Sequence, residues 1–203
     1  MPVDKVSTDT IQRVMAGGAA VCKDAGVPIA GGHSIDTLEP IYGLAAIGMV
    51  DIANIKRNVG ARPGDVLILG KGLGTGFLSA AMKKGTLSPA GYAEMIACTT
   101  RLNDIGAELG ARGDVHAMTD VTGFGLLGHL SEVCQGSNVA VNIDLAAVPM
   151  LEAGRQLAEA GLNTGAAGRN RVAFADGVAL PGDLADWRNN MLYDPQTAGP
   201  LLV

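Results

Sequence analysis

At 203 residues, 48% hydrophobic and 17% charged, the chain has the apolar content of a packed globular protein and not of a disordered one. A formal charge of −5, the lack of any Lys/Arg cluster and an aromatic content of 3% argue against a nucleic-acid groove or a base-stacking platform. No apolar run is long enough to span a bilayer and no N-terminal segment reads as a signal peptide, so no membrane partner is expected and a cytoplasmic, reducing compartment fits best.

In chain order, Ser7, Thr8 or Asp9 can cap a helix over 7–25, with Ile11, Val14, Met15, Ala19 and Cys22 near helical spacing and Gly26 as its stop. A short apolar run at 27–30 leads into a glycine-rich loop at 31–36, and 41–50 reads as a strand buried on both faces. Polar and turn-forming residues from Asp51 to Gly64 suit a boundary between two units. Residues 65–70 then read as a buried strand, 71–76 as a glycine loop, and 77–84 as a helix. Ser88 and Pro89 start a further helix that the pattern carries to Leu109.

Val115, Ala117 and Met118 form an apolar strand with Asp120 at its end. Gly123 and Gly125 follow, then a helical pattern through Leu126, Leu127, Leu130 and Val133. A strand is expected at 138–144, a helix near 150–160, and a polar, glycine-containing stretch at 161–171. The last residues, 191–203, end inside an apolar run read as a strand, which leads us to expect a fragment or a missing C-terminal piece. Alternating strands and helices make α/β or α+β the expected class.

Cys22, Cys98 and Cys134 lie far apart in apolar helical patterns, so neither a disulfide framework nor a zinc site is suggested. A carboxylate followed by a glycine turn and a helix start can hold a divalent metal while backbone N–H groups take phosphate oxygens. On spacing alone, the commoner reading of Asp120 is an ordinary N-cap-like residue of a β–α turn, since glycine-rich β–α turns serve many purposes. The loop at Gly72, Gly74 and Gly76 fails both the dinucleotide and the P-loop patterns, leaving an anion nest or a tight turn. In the 31–36 loop, Gly32, His33, Ser34 and Asp36 crowd together as a nucleotide-recognition loop or a surface loop with capping residues. No strained nucleophile elbow accompanies them, so a Ser/His/Asp triad is not expected. His116 and His129 read as structural, and Asp194 before Pro195 as a turn.

Taken together, residues 31–36 with Glu39 and Pro40, the block 118–130, and residues 194–199 resemble the selenophosphate synthetase (selenide, water dikinase) family. The resemblance runs across nearly the whole chain. It implies the aminoimidazole ribonucleotide synthetase-like two-domain fold, with residues 1–57 as the latter part of an N-terminal ATP-binding and dimerisation domain. Residues 62–203 would then be most of the C-terminal α+β domain. The implied reaction makes selenophosphate from selenide, ATP and water, releasing AMP and phosphate, with Mg2+ as cofactor and a homodimer as the full-length assembly.

Residue by residue, Asp120 matches the family's Mg-binding aspartate in this domain, and Gly32, His33 and Ser34 match its ATP-contacting loop. The family's catalytic Cys or selenocysteine and its nearby Lys have no counterpart here, so these residues alone are expected not to catalyse the reaction. Pro200 stands where the family carries a second glycine, and a ring without an N–H puts the local backbone in question. Two alternatives remain open at this stage: another ATP-dependent enzyme of the superfamily, or a non-catalytic module.

Overall fold

Helix α1 (Thr8–Asp24) begins where the Ser7 hydroxyl accepts the Thr10 N–H at 3.2 Å, and it closes on Ala25 and Gly26. The computed structural model containing it describes residues 1–203 and divides into two units, Met1–Asp51 and Ile52–Val203. In the first unit, α1 meets the following chain at Gly18, where any side chain would overlap the Tyr42 ring. Residues 27–50 run on with no strand assigned. Ile47 and Met49 are almost completely exposed, contrary to the expected doubly buried strand at 41–50. The physical reason is that a strand is a property of a pair: its N–H and C=O groups need a neighbouring ladder, and none lies beside it within this unit.

The second unit opens with one 3₁₀ turn (Ile52–Asn54). Its only sheet pairs β1 (Thr119–Asp120) with β2 (Leu201–Leu202) in antiparallel register, Thr119 opposite Leu202 and Asp120 opposite Leu201. The other edge of β2 is taken by residues 68–70, through Ile68 N–H to Val203 O at 2.9 Å, its reciprocal at 3.0 Å, and Gly70 N–H to Leu201 O at 2.9 Å. The expected strand at 65–70 is therefore realised only at its end, and Val66 and Ile68 stay exposed. The strand expected at 138–144 does not form. Its flanks are turns instead, with Asn138 left-handed at the end of a helix and Asp144 accepting the Ala146 N–H.

Helices carry the rest. Helix α2 (Thr75–Lys83) starts from Gly74 at φ 126°. Helix α3 (Pro89–Thr100), capped by Ser88, stops nine residues before the expected end at Leu109. Tertiary partners break it there: the Arg101 carbonyl accepts from Lys71 Nζ at 2.6 Å, and Asn103 donates to the Gly199 carbonyl at 2.9 Å. The remainder restarts as α4 (Ile105–Ala111) behind Asp104.

Helix α5 (Gly125–Ser137) follows β1, and α6 (Glu152–Glu159) receives its N-terminal amides on the Glu94 carboxylate of α3. Helices α7 (Gly165–Ala173) and α8 (Asp186–Leu192) fill regions where the sequence pattern indicated none. The core joins Leu73 and Phe77 of the α2 region to Val121, to Leu126, Leu127 and Leu130 of α5, and to Met191, Leu192, Tyr193 and Leu202. No helix is long and apolar enough to cross a membrane.

Candidate functional site

Asp120 is the last residue of β1, exposed, and its carboxylate accepts no hydrogen bond. The capping reading fails on geometry, because α5 starts behind Phe124 and no side chain caps it. The first turn of α5 therefore keeps uncapped N–H groups one short turn away from a free carboxylate. No group of three or more His, Cys, Asp or Glu converges anywhere in the chain. A lone carboxylate is too little for a protein-only metal cage. It suits Mg2+, which takes one or two carboxylates and completes its shell with water and substrate phosphate.

The turn between Asp120 and α5 is held from one side by residues 193–200. Val121 N–H donates to Pro200 O at 2.8 Å, and Gln196 N–H donates to Thr122 O at 2.9 Å. Gly199 lies against the Val121 carbonyl so closely that no side chain fits there. Gly125, at φ 72°, rests on the Tyr193 backbone, where an added Cβ would come within 2.5 Å of the carbonyl carbon. His129 approaches the Thr122 hydroxyl through Nε2 at 3.3 Å and Glu132 through Nδ1 at 3.3 Å, with the Phe124 ring beside it. His129 is thus a brace of the turn and not a metal ligand. His116 is structural as well, with Nδ1 on both Asp65 oxygens at 2.9 and 3.0 Å.

The question raised by Pro200 resolves simply. The residue is buried, it precedes the first ladder residue, and it contributes only its carbonyl, so its missing N–H leaves nothing unpaired. A neighbouring strain is real: Ala198 holds φ 48° while its carbonyl accepts from Lys71 Nζ at 2.9 Å. A non-glycine residue there costs about 1 kcal/mol. Ala198→Gly should raise unfolding stability by about that amount in urea titration, and an unchanged midpoint at equal slope would refute the strain.

The glycine loop at 71–76 presents no anion nest. Gly74 and Thr75 N–H groups and the Thr75 hydroxyl all point to Gln196 Oε1, at 3.0, 3.3 and 3.1 Å, and Gly76 N–H donates to Asp194 Oδ2 at 3.0 Å. Asp194 is fully buried and also accepts from Gln196 Nε2 and Thr164 Oγ1. Burial pushes its carboxyl up to about 7 in spite of those donors. Lys71 is buried too, and desolvation lowers its ammonium below the usual lysine range. Burial raises the Cys98 and Cys134 thiols, which disfavours the nucleophilic thiolate at both. Asp194 and Gln196 therefore carry far more than the turn that the sequence suggested. The readable signal was an acid and an amide flanking Pro195 in an otherwise apolar stretch.

Gly32, His33 and Ser34 lie in the first unit, all exposed and in irregular backbone. The one tether near them is the N-terminal ammonium, which donates to Ile35 O at 2.8 Å. They belong to a different unit from Asp120.

A mixed α/β protein with a carboxylate–glycine turn leading into a helix that no side chain caps is the class these features define. Residues 62–181 match the AIR synthase related protein C-terminal domain and residues 1–50 the corresponding N-terminal domain, and the chain belongs to that family. Among curated proteins, it is 52% identical over all 203 residues to a selenide, water dikinase of Rhizobium meliloti (strain 1021), covering 58% of that protein. It is 55% identical to one of Paraburkholderia xenovorans (strain LB400) and 52% to one of Pseudomonas straminea, in each case covering 57% of the relative. The chain thus spans somewhat over half the length of the relatives it matches.

Proposed function

We propose that the chain carries part of a selenide, water dikinase, which converts selenide, ATP and water into selenophosphate, AMP and phosphate. What supports this reading is similarity along the entire chain to proteins of that name, together with a free, exposed carboxylate at the family's glycine turn. Two sets of residues are proposed, each within its own unit. Asp120 is the metal-binding residue, and Gly32, His33 and Ser34 form a loop that contacts the nucleotide. Domain limits are set at 1–57 and 62–203. The assembly is a homodimer through the first domain, working in the cytoplasm.

A Mg2+ ion held there would supply neutralisation of phosphate charge during phosphoryl transfer. Asp120 would supply one of its oxygen ligands. The uncapped first turn of α5 would direct N–H groups at phosphate oxygens, and the glycine turn admits the nucleotide close to the backbone. The catalytic nucleophile is not assigned to any residue of this chain.

Two measurements test the reading. AMP formation from ATP should depend on both selenide and Mg2+ when the chain is carried to the full length of its relatives, and the 203 residues alone should be inactive. AMP release that ignores selenide would point to another ATP-dependent enzyme of the same superfamily. Asp120→Asn should weaken Mg2+-dependent ATP binding by at least about tenfold, with the fold intact because the residue is exposed. Equal affinity in parent and variant, by calorimetry, would remove Asp120 from the site.

A further inference from the structure

We propose that Asn170 is a positioning residue for the Asp120 turn, an inference that rests on the assignment of Asp120 above. Its carboxamide nitrogen, on α7, donates to the Gly123 carbonyl at 2.8 Å and to the Tyr193 carbonyl at 3.0 Å. Both partners can only accept, so the NH2 and not the oxygen must face them. Gly123 lies within the turn that joins Asp120 to α5. Tyr193 supplies the backbone surface on which Gly125 rests. Asn170 therefore closes a frame: one hydrogen holds the turn, the other holds the wall behind it.

No other side chain bonds to the Gly123 carbonyl, and Gly123 is itself exposed with nothing within 4 Å of its Cβ direction. Backbone bonds from residues 196 and 200 hold the flanking Thr122 and Val121, while at Gly123 itself the Asn170 amide is the side-chain tether. Asparagine suits the task chemically. Aspartate would aim oxygens at two carbonyls, serine offers a single hydrogen, and glutamine adds a methylene that the short span from α7 does not need.

The decisive experiment is a double-mutant cycle on Mg2+-dependent ATP affinity, using the protein carried to the relatives' full length. Asn170→Ala should weaken binding roughly tenfold in the parent, and Asn170→Asp should weaken it more. In an Asp120→Asn background the same Asn170→Ala change should cost less than about twofold, because the group it positions is gone. Affinity for ATP without Mg2+ should not move. A purely structural role predicts equal losses in both backgrounds, or none, and either result overturns the inference while leaving Asp120 in place. If Asp120→Asn alone has no effect, or the parent shows no Mg2+-dependent binding, the underlying assignment fails and takes this inference with it. Should Asn170→Ala not fold, Asn170→Ser keeps one donor and should give an intermediate loss that again vanishes in the Asp120→Asn background; an additive loss there has the same overturning force.

Discussion

Gly125→Ala should destabilise the second unit by about 2–5 kcal/mol, the sum of a left-handed backbone forced on a Cβ and an overlap that cannot relax. The residue sits at φ 72°, and its added carbon would meet the Tyr193 backbone at 2.5 and 2.8 Å. A flexible side chain could move aside; a main-chain segment locked into the core cannot. Tyr193 is held by burial and by Asn170, and residues 194 and 196 beyond it are buried and bonded to α2. Gly123→Ala is the control two residues away. That position has open space and an ordinary φ, so its replacement should be neutral or gain up to about 1 kcal/mol from a stiffer unfolded chain. Urea unfolding of the two variants beside the parent checks the pair. A Gly125→Ala variant as stable as Gly123→Ala would mean that the turn does not rest on Tyr193.

Stability of the second unit should fall by about 2 kcal/mol between pH 5.5 and pH 8.5 through Asp194 alone. Burial raises its folded pKa from 3.8 to about 7. Below the unfolded value both states are protonated and the group costs nothing. As pH rises toward 7 the unfolded chain has already released its proton while the folded chain still holds it, so stabilisation is lost and the loss levels off above 7. Asp65, Asp114 and Glu152 are shifted downward by their partners and titrate below this window.

The measurement compares unfolding free energies of the parent and Asp194→Asn at the two pH values. The variant profile should lack the Asp194 contribution, and parallel profiles would show that the buried carboxyl does not titrate there. The same group explains why α2 needs no cap of its own, since Asp194 and Gln196 take its N-terminal amides from across the unit.

Several elements were legible in the residues because their causes are local. The Ser7 and Ser88 hydroxyls cap α1 and α3 as their spacing to apolar residues suggests, and Gly123 does lie between a strand end and a helix that Gly125 opens. The family was readable from the three segments 31–40, 118–130 and 194–199 taken together, because a carboxylate, two glycines and a helix start serve many β–α turns and become specific only beside the other two. The strands were poorly legible. Residues 41–50 and 138–144 have the right side chains, yet pairing needs a neighbour that composition cannot supply. Helix α3 illustrates the opposite failure: the pattern continues past Thr100, but Lys71 and Gly199, both remote in sequence, take its polar groups and end it.

At the candidate site the division is similar. By itself the sequence determined that Asp120 ends an apolar run before a glycine turn, because that is a matter of residue order and of which residues tolerate tight turns. Only the tertiary structure decided that Asp120 is free instead of capping α5, that the 71–76 loop spends its amides on Gln196 and Asp194, and that Asn170 holds Gly123. Each of these is a hydrogen-bond partner chosen across a long sequence separation, and a donor's partner depends on where the backbone brings an acceptor, not on the donor's own neighbours.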